Sequence, residues 1–298
     1  MATFAKSTFS HAAYAAMRPI YPPSLYETLL EYHRGPRSLV VDLGSGPGMV
    51  ARAFSPYFTT VVGTDPSPGM TATAKASTLK YDFPNIDFRE APAESLPFLE
   101  DGQVDMVVAG QAAHWFDYPR VWGELWRLLR REGTLAFWGY KDHTFVDHPR
   151  ATAILRRYSH EQGPNFLGSY WAQPGRRIVE DQYHDIHPPV TDWADVRRIE
   201  YEPANMGKRA GAGTLMLERT MTLGQCKGYI RTWSSYHAWR EAHPDTRTLG
   251  EGGTGDIVDE MFDQMVQVEP DWQLAGSTWE ELPVDIEWGS GLLLARKR

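Results

Sequence analysis

The sequence predicts an α/β fold built on a mostly parallel sheet with a mainly helical insertion over it. Between residues 38 and 140, short β-branched runs alternate with helix-length segments, the pattern of successive strand–helix units. The apolar run Val40-Val41-Asp42-Leu43 leads straight into Gly44-Ser45-Gly46-Pro47-Gly48, a buried strand feeding a turn where the backbone must approach a ligand closely. A second strand ends in an acid, Asp65, about twenty residues beyond the first glycine, where a carboxylate can accept from both hydroxyls of a ribose.

Taken in order, Leu39 to Leu43 is the first strand and Pro47 to about Phe54 the first crossover helix. The second strand is Thr60 to Thr64, ending at Asp65, and Ser67 is placed to N-cap a helix reaching about Leu79. Ile86 to Arg89, Val104 to Ala109 and Thr134 to Tyr140 read as strands three to five. Between the last two, Val121, Trp122, Leu125, Leu128 and Leu129 give residues 118–131 one apolar helical face. Beyond Tyr140, several helices, two short strand-like runs (Arg198 to Glu202, Leu215 to Thr220) and Gly/Pro-rich loops read as an insertion over the sheet. The close, Val284 to Trp288, Gly289-Ser290-Gly291 and Leu292 to Ala295, reads as an antiparallel hairpin. Residues 1–140 then form an N-terminal segment and a ligand-binding core, 141–270 a mainly helical substrate cap, and 271–298 the hairpin that completes the sheet.

Composition narrows the partners. With 298 residues, a net charge of −8 and no long Lys/Arg run, the surface suits a small molecule and is a poor match for a nucleic-acid backbone. The single cysteine, Cys226, leaves no intrachain disulfide or Cys-based zinc site and fits a reducing, cytoplasmic setting. No apolar run has the length of a membrane span. The N-terminal segment has no acid before Glu27 and carries Lys6 and Arg18, a faint likeness to a transit peptide, but no apolar stretch of a secretory signal. Aromatic residues after position 110 stand in polar company, as in Ala113-His114-Trp115-Phe116 and Thr232-Trp233-Ser234-Ser235-Tyr236, a mixture that small-molecule pockets use.

The glycine spacing separates cofactor classes. A dinucleotide fingerprint needs its third glycine at position 49, which is Met49; the pattern is G-x-G-x-G with Asp42 two residues before the first glycine. This resembles motif I of the class I S-adenosylmethionine (SAM) methyltransferases. Tyr14-Ala15-Ala16-Met17-Arg18-Pro19-Ile20-Tyr21-Pro22, Ala112-Ala113-His114-Trp115-Phe116, Arg231-Thr232-Trp233-Ser234 and Glu287-Trp288-Gly289-Ser290 are similar to one subgroup, the trans-aconitate methyltransferases and fungal relatives that methylate small carboxylic or natural-product acids. The likeness runs nearly end to end. It implies the Rossmann-like, seven-stranded class I sheet with its terminal antiparallel hairpin, SAM as cofactor (S-adenosylhomocysteine as product), no metal, and a monomer or homodimer.

The resemblance assigns Gly44, Ser45, Gly46 and Gly48 to the cofactor turn, Asp65 and Pro66 to the ribose side, Ala93 and Glu94 to the adenine side, and Gln111 to the cofactor's neighbourhood. Tyr14 and Arg18 would close over it, Arg18 toward the methionine carboxylate, which a guanidinium fork matches. Asp42 would receive the ammonium or pin the loop amides. Each has a plainer alternative: Asp65 a helix-capping acid, Glu94 a solvated charge, Arg18 a surface ion pair. The acceptor side is expected from His114, Arg231, Trp233, Tyr140 and Lys141, with Trp115 beside them. A carboxylic acid is already ionised at neutral pH and needs no base. A phenol or amine would need one, and His114 would serve, unless it is a core histidine. The expected activity is esterification of a small acid by in-line methyl transfer; the alternative is methylation of another acceptor atom, or a rearrangement without methyl transfer.

Overall fold

A computed structural model describes residues 17–298. Helix α1 (Pro23–Tyr32) leads into strand β1 (Leu39–Leu43), α2 (Met49–Phe54), β2 (Thr60–Asp65), α3 (Pro68–Ser77), β3 (Ile86–Glu90), β4 (Val104–Gly110), α4 (Tyr118–Leu128) and β5 (Leu129–Phe145). There follow α5 (Pro149–His160), α6 (Gly175–Glu180), β6 (Trp193–Glu202), β7 (Ala212–Gly213), β8 (Glu218–Thr222), α7 (Leu223–Ile230), α8 (Ser234–Ala242), α9 (Ile257–Val268), α10 (Pro270–Leu274) and β9 (Pro283–Lys297).

The strands lie in the order β3-β2-β1-β4-β5-β9-β6-β7, with β8 also paired to β9. Strands β1 to β5 are parallel, which requires a crossover between each consecutive pair. Alternate residues of β1 enter opposite cores: Val40 packs with α1 and α2, whereas Leu39, Val41 and Leu43 pack with α4. Both faces are therefore covered, as parallel sheets demand, and this is why the strands read as unbroken β-branched runs. Ser67 caps α3 by accepting the Met70 amide at 3.3 Å, as its position predicted.

The last strand differs from expectation in one respect. It is antiparallel to both β5 and β6, but residues 283–297 form one continuous strand and not a hairpin. Gly291 sits in the ladder opposite Gly139, and Gly289 lies where the register of β5 against β9 shifts. They serve close approach: a Cβ on Gly289 would lie 2.4 Å from the Lys141 Cε, and one on Gly291 would lie 2.3 Å from the Gln182 carbonyl. Residues 141–270 are also not all cap. Trp193–Glu202 enters the main sheet as β6, while α5, α7, α8 and α9 bury Leu155, Tyr229, Trp239 and Phe262 in the core shared with α1 and α2.

Candidate active site

The turn after β1 is tied at several points. The Ser45 amide donates to the Thr64 carbonyl at 2.8 Å and the Gly48 amide to the Ser45 carbonyl at 2.9 Å. Gly44, Gly46 and Gly48 have φ of 64°, 52° and 85°, the left-handed region that side chains resist. Close approach adds to this at Gly44, where a Cβ would sit 2.5 Å from that of Ala112, and at Gly48, where it would sit 2.6 Å from the Phe88 ring. At Gly46 it would meet nothing within 4 Å, because this glycine faces a cavity.

That cavity has a volume of about 460 Å³ and is walled by Gly44, Gly46, Asp65, Pro66, Ala93 and Glu94, with Gln111, Trp115 and Phe116 opposite. It lies at the carboxyl ends of β1, β2 and β4, where open α/β sheets bind ligands. Asp65 accepts the Gly46 amide at 3.0 Å on one oxygen and the Ser67 amide at 2.8 Å on the other. The carboxylate thus joins the glycine turn to the start of α3. Glu94 accepts the Asp117 amide at 2.8 Å. Beneath the turn Asp42 is 1% exposed, and among the described residues neither carboxylate oxygen has a hydrogen-bond partner of ordinary geometry. Burial pushes its carboxyl well above the usual range, and the Asp65 charge adds to the rise against the opposing Ala51 amide.

A second, smaller cavity of about 80 Å³ lies beside the first, and Gln111 and Trp115 border both. Gln111 stands at the end of β4 with φ 55°. Its side-chain amide continues the ladder, donating to the Tyr140 carbonyl at 2.9 Å and accepting the Tyr140 amide at 2.7 Å. Arg18, His114, Tyr140, Lys141 and Trp233 line this smaller space. The Arg18 guanidinium donates to the Tyr140 hydroxyl at 3.2 Å and lies 5.9 Å from the centre of the Tyr229 ring. Arg18, expected on the cofactor side, therefore borders the cavity of the acceptor candidates. Tyr14 lies outside the described residues.

Burial, with Arg18 and Arg176 adding their charge, pushes the His114 imidazole down to about 3. It is neutral throughout the physiological range and a weak proton acceptor. The structure also adds residues that no motif marked. Arg176 forms two hydrogen bonds to Asp142, at 2.9 and 2.5 Å, and its guanidinium lies over the Trp171 ring at 4.2 Å. Asp142 directly follows Lys141 on β5 and was within reach of strand periodicity; nothing around Arg176 or Trp171 signals a pocket.

Arg231 is the correction. It is not among the residues lining either cavity; its guanidinium bonds both oxygens of Asp256 at 2.9 Å and reaches Asp259 at 2.8 Å. Asp256 is the N-cap of α9, so this arginine holds a helix start.

The sequence pattern described as "Methyltransferase domain" matches residues 41–137, which runs from β1 into β5. A Dictyostelium discoideum protein with a methyltransferase name is 30% identical over 77% of this chain and 77% of its own. The chain belongs to the SAM-dependent methyltransferases. A Saccharomyces cerevisiae protein described as a probable SAM-dependent methyltransferase is 28% identical over 99% of this chain and 98% of its own. The solved structure of a protein from Anaeromyxobacter dehalogenans, described as a type II methyltransferase, superposes with a TM-score of 0.66 at 25% identity, covering 94% of this chain and 97% of that one. SAM is thus the cofactor of the methyltransferase family, and the residues present fit it: an orphaned buried carboxylate at Asp42, an open glycine wall at Gly46, and acids at Asp65 and Glu94 suit a molecule bearing a sulfonium, an ammonium and a ribose. Among the described residues no group of three or more His, Cys, Asp or Glu is placed to hold a metal, and no helix is long and apolar enough to cross a membrane.

Proposed function

We propose that this methyltransferase esterifies a small carboxylic acid held in the smaller cavity, with SAM in the larger one. The observation that carries the reading is the shared border at Gln111 and Trp115, beyond which Arg18 lines the smaller cavity together with Lys141, paired with Glu202, and Arg176, paired with Asp142 and Glu180. The guanidinium N–H groups on this wall are donors of the kind a carboxylate accepts. The rings of Trp171, Trp233 and Tyr229 exclude water around its body, which strengthens the attraction.

SAM supplies an activated methyl group on a sulfonium. Gly44, Gly46, Asp65, Pro66, Ala93 and Glu94 would hold its nucleoside, and Asp42 its ammonium. The protein's own contribution is alignment: Gln111, locked to Tyr140 on two sides, and Trp115 fix the passage through which the two ligands meet. A carboxylate needs no deprotonation, in keeping with an imidazole as weakly basic as His114. Lys141 pairs with Glu202 at 2.5 Å, and its stem crosses β9 where Gly289 leaves room.

The test is incubation with methyl-labelled SAM and matched panels of carboxylic acids, phenols and amines. Base-labile label on an acid is the expected result; label on phenols or amines alone would overturn the esterification while leaving the enzyme class intact.

A further inference from the structure

The Tyr183 hydroxyl, buried with its residue 1% exposed, lies 3.3 Å from the Trp138 carbonyl and 3.4 Å from His114 Nδ1. Room for it exists because position 139 is glycine: a Cβ there would stand 2.5 Å from the Tyr183 oxygen. A carbonyl can only accept. When the phenol directs its one proton to Trp138, its oxygen is left as an acceptor for His114, and Nδ1 must then carry the imidazole's proton. Packing supports the ring's placement, since Trp115 lies 4.8 Å away centre to centre and a Cβ on Gly175 would come within 3.3 Å of Cδ2. Among the described residues Nδ1 makes the only hydrogen bond of this imidazole, and the ring borders the smaller cavity.

We propose that Tyr183 holds His114 as the neutral Nδ1–H tautomer, so that Nε2 offers a hydrogen-bond acceptor to the cavity, and that the methyl acceptor carries a hydroxyl or N–H donor beside its carboxylate. The substrate half rests on the carboxylate reading above; the tautomer half does not. Tyr183 is a positioning residue, because it acts on the substrate only through His114. A bare Nε2 lone pair facing a substrate without a donor would lose its hydration and gain nothing, so a donor-bearing acid is selected over its deoxy counterpart.

Long-range proton–nitrogen NMR of the 298-residue protein, with the His114 signals assigned by His114→Gln, reads the tautomer directly. Protonated Nδ1 and bare Nε2 at pH 7 are expected; a proton on Nε2, or on both nitrogens, would overturn the assignment. Tyr183→Phe keeps the ring and removes the hydroxyl, and should mix the tautomers; an unchanged spectrum would remove Tyr183 from the role. Calorimetry with S-adenosylhomocysteine present then compares mandelate with phenylacetate, which differ by one hydroxyl. Wild type should bind mandelate roughly tenfold more tightly, the worth of about one hydrogen bond, and His114→Phe should abolish the preference. Equal affinities in wild type overturn the donor requirement. Binding of neither acid overturns the carboxylate reading together with the substrate half, while the nitrogen spectrum judges the tautomer independently.

Discussion

Arg231 grips Asp256 through two parallel hydrogen bonds of 2.9 Å, and Asp256 in turn accepts the Val258 and Asp259 amides that begin α9. Removing the guanidinium leaves a carboxylate that is fully buried in its side chain without its main counter-charge. Arg231→Ala should therefore destabilise the fold by about 2–4 kcal/mol, read from denaturant melts. The Michaelis constant for the acceptor should stay near wild type in the fraction that folds; a large rise would return Arg231 to substrate recognition.

The glycine turn makes a paired prediction. Gly44→Ala would drive a Cβ against Ala112, whereas Gly46→Ala meets open space and bears only the strain of a left-handed φ, about 1–2 kcal/mol. Gly44→Ala should lower both melting temperature and SAM affinity. Gly46→Ala should fold nearly normally yet bind SAM at least roughly tenfold more weakly, because its methyl would occupy the cavity. Calorimetry beside thermal melts separates the two effects.

Asp42 predicts opposite effects on stability and binding. Its folded-state pKa is raised, so the native chain holds this proton more tightly than the unfolded chain does. The associated stability is full below the unfolded carboxylate value near 3.9 and is lost as pH rises through the folded value. Asp42→Asn should accordingly stabilise the ligand-free protein at pH 7 and flatten its loss of stability with rising pH. It should also weaken SAM binding if the orphaned carboxylate receives the ammonium. Melts across pH, with and without SAM, check both signs.

His143 has both ring nitrogens buried and, among the described residues, without hydrogen bonds, surrounded by Phe145, Tyr229, Trp233 and Trp288. Burial pushes its imidazole down to about 4. The folded protein excludes a proton that the unfolded chain takes up near 6.5, so the stability from burying the neutral ring is full above that pH and lost as pH falls toward 4. His143→Leu should reduce the acid-side slope of stability by about 1.4 kcal/mol per pH unit across this window. An unaltered slope would mean that the ring titrates normally.

Strands β1 to β4 and their helices were legible because a strand covered on both faces must be apolar at nearly every position, and Val40-Val41 or Val107-Val108 state this plainly. The glycine turn that borders the larger cavity was legible for a related reason: glycines at three alternate positions are hard to explain without a close approach. Gly289 and Gly291 misled because a glycine required by a neighbour's bulk looks the same as one required by a turn. Arg231 and Arg176 could not be told apart by residue type. One ends on Asp256 and the other borders the cavity beside Asp142, and the acid that each meets is chosen by the fold, far away along the chain.

The continuous strand β9 pairs with β5, β6 and β8, yet it follows all of them in the chain. Its pairings with β5 and β6 close longer loops than any pairing among β1 to β4. Loop-closure entropy and contact order then set a sequence of events: the glycine-turn half can take shape early, and the wall that carries Tyr140 and Lys141 matures only when the last strand docks. A chain halted short of that docking would possess the grip for one ligand and no seat for the other.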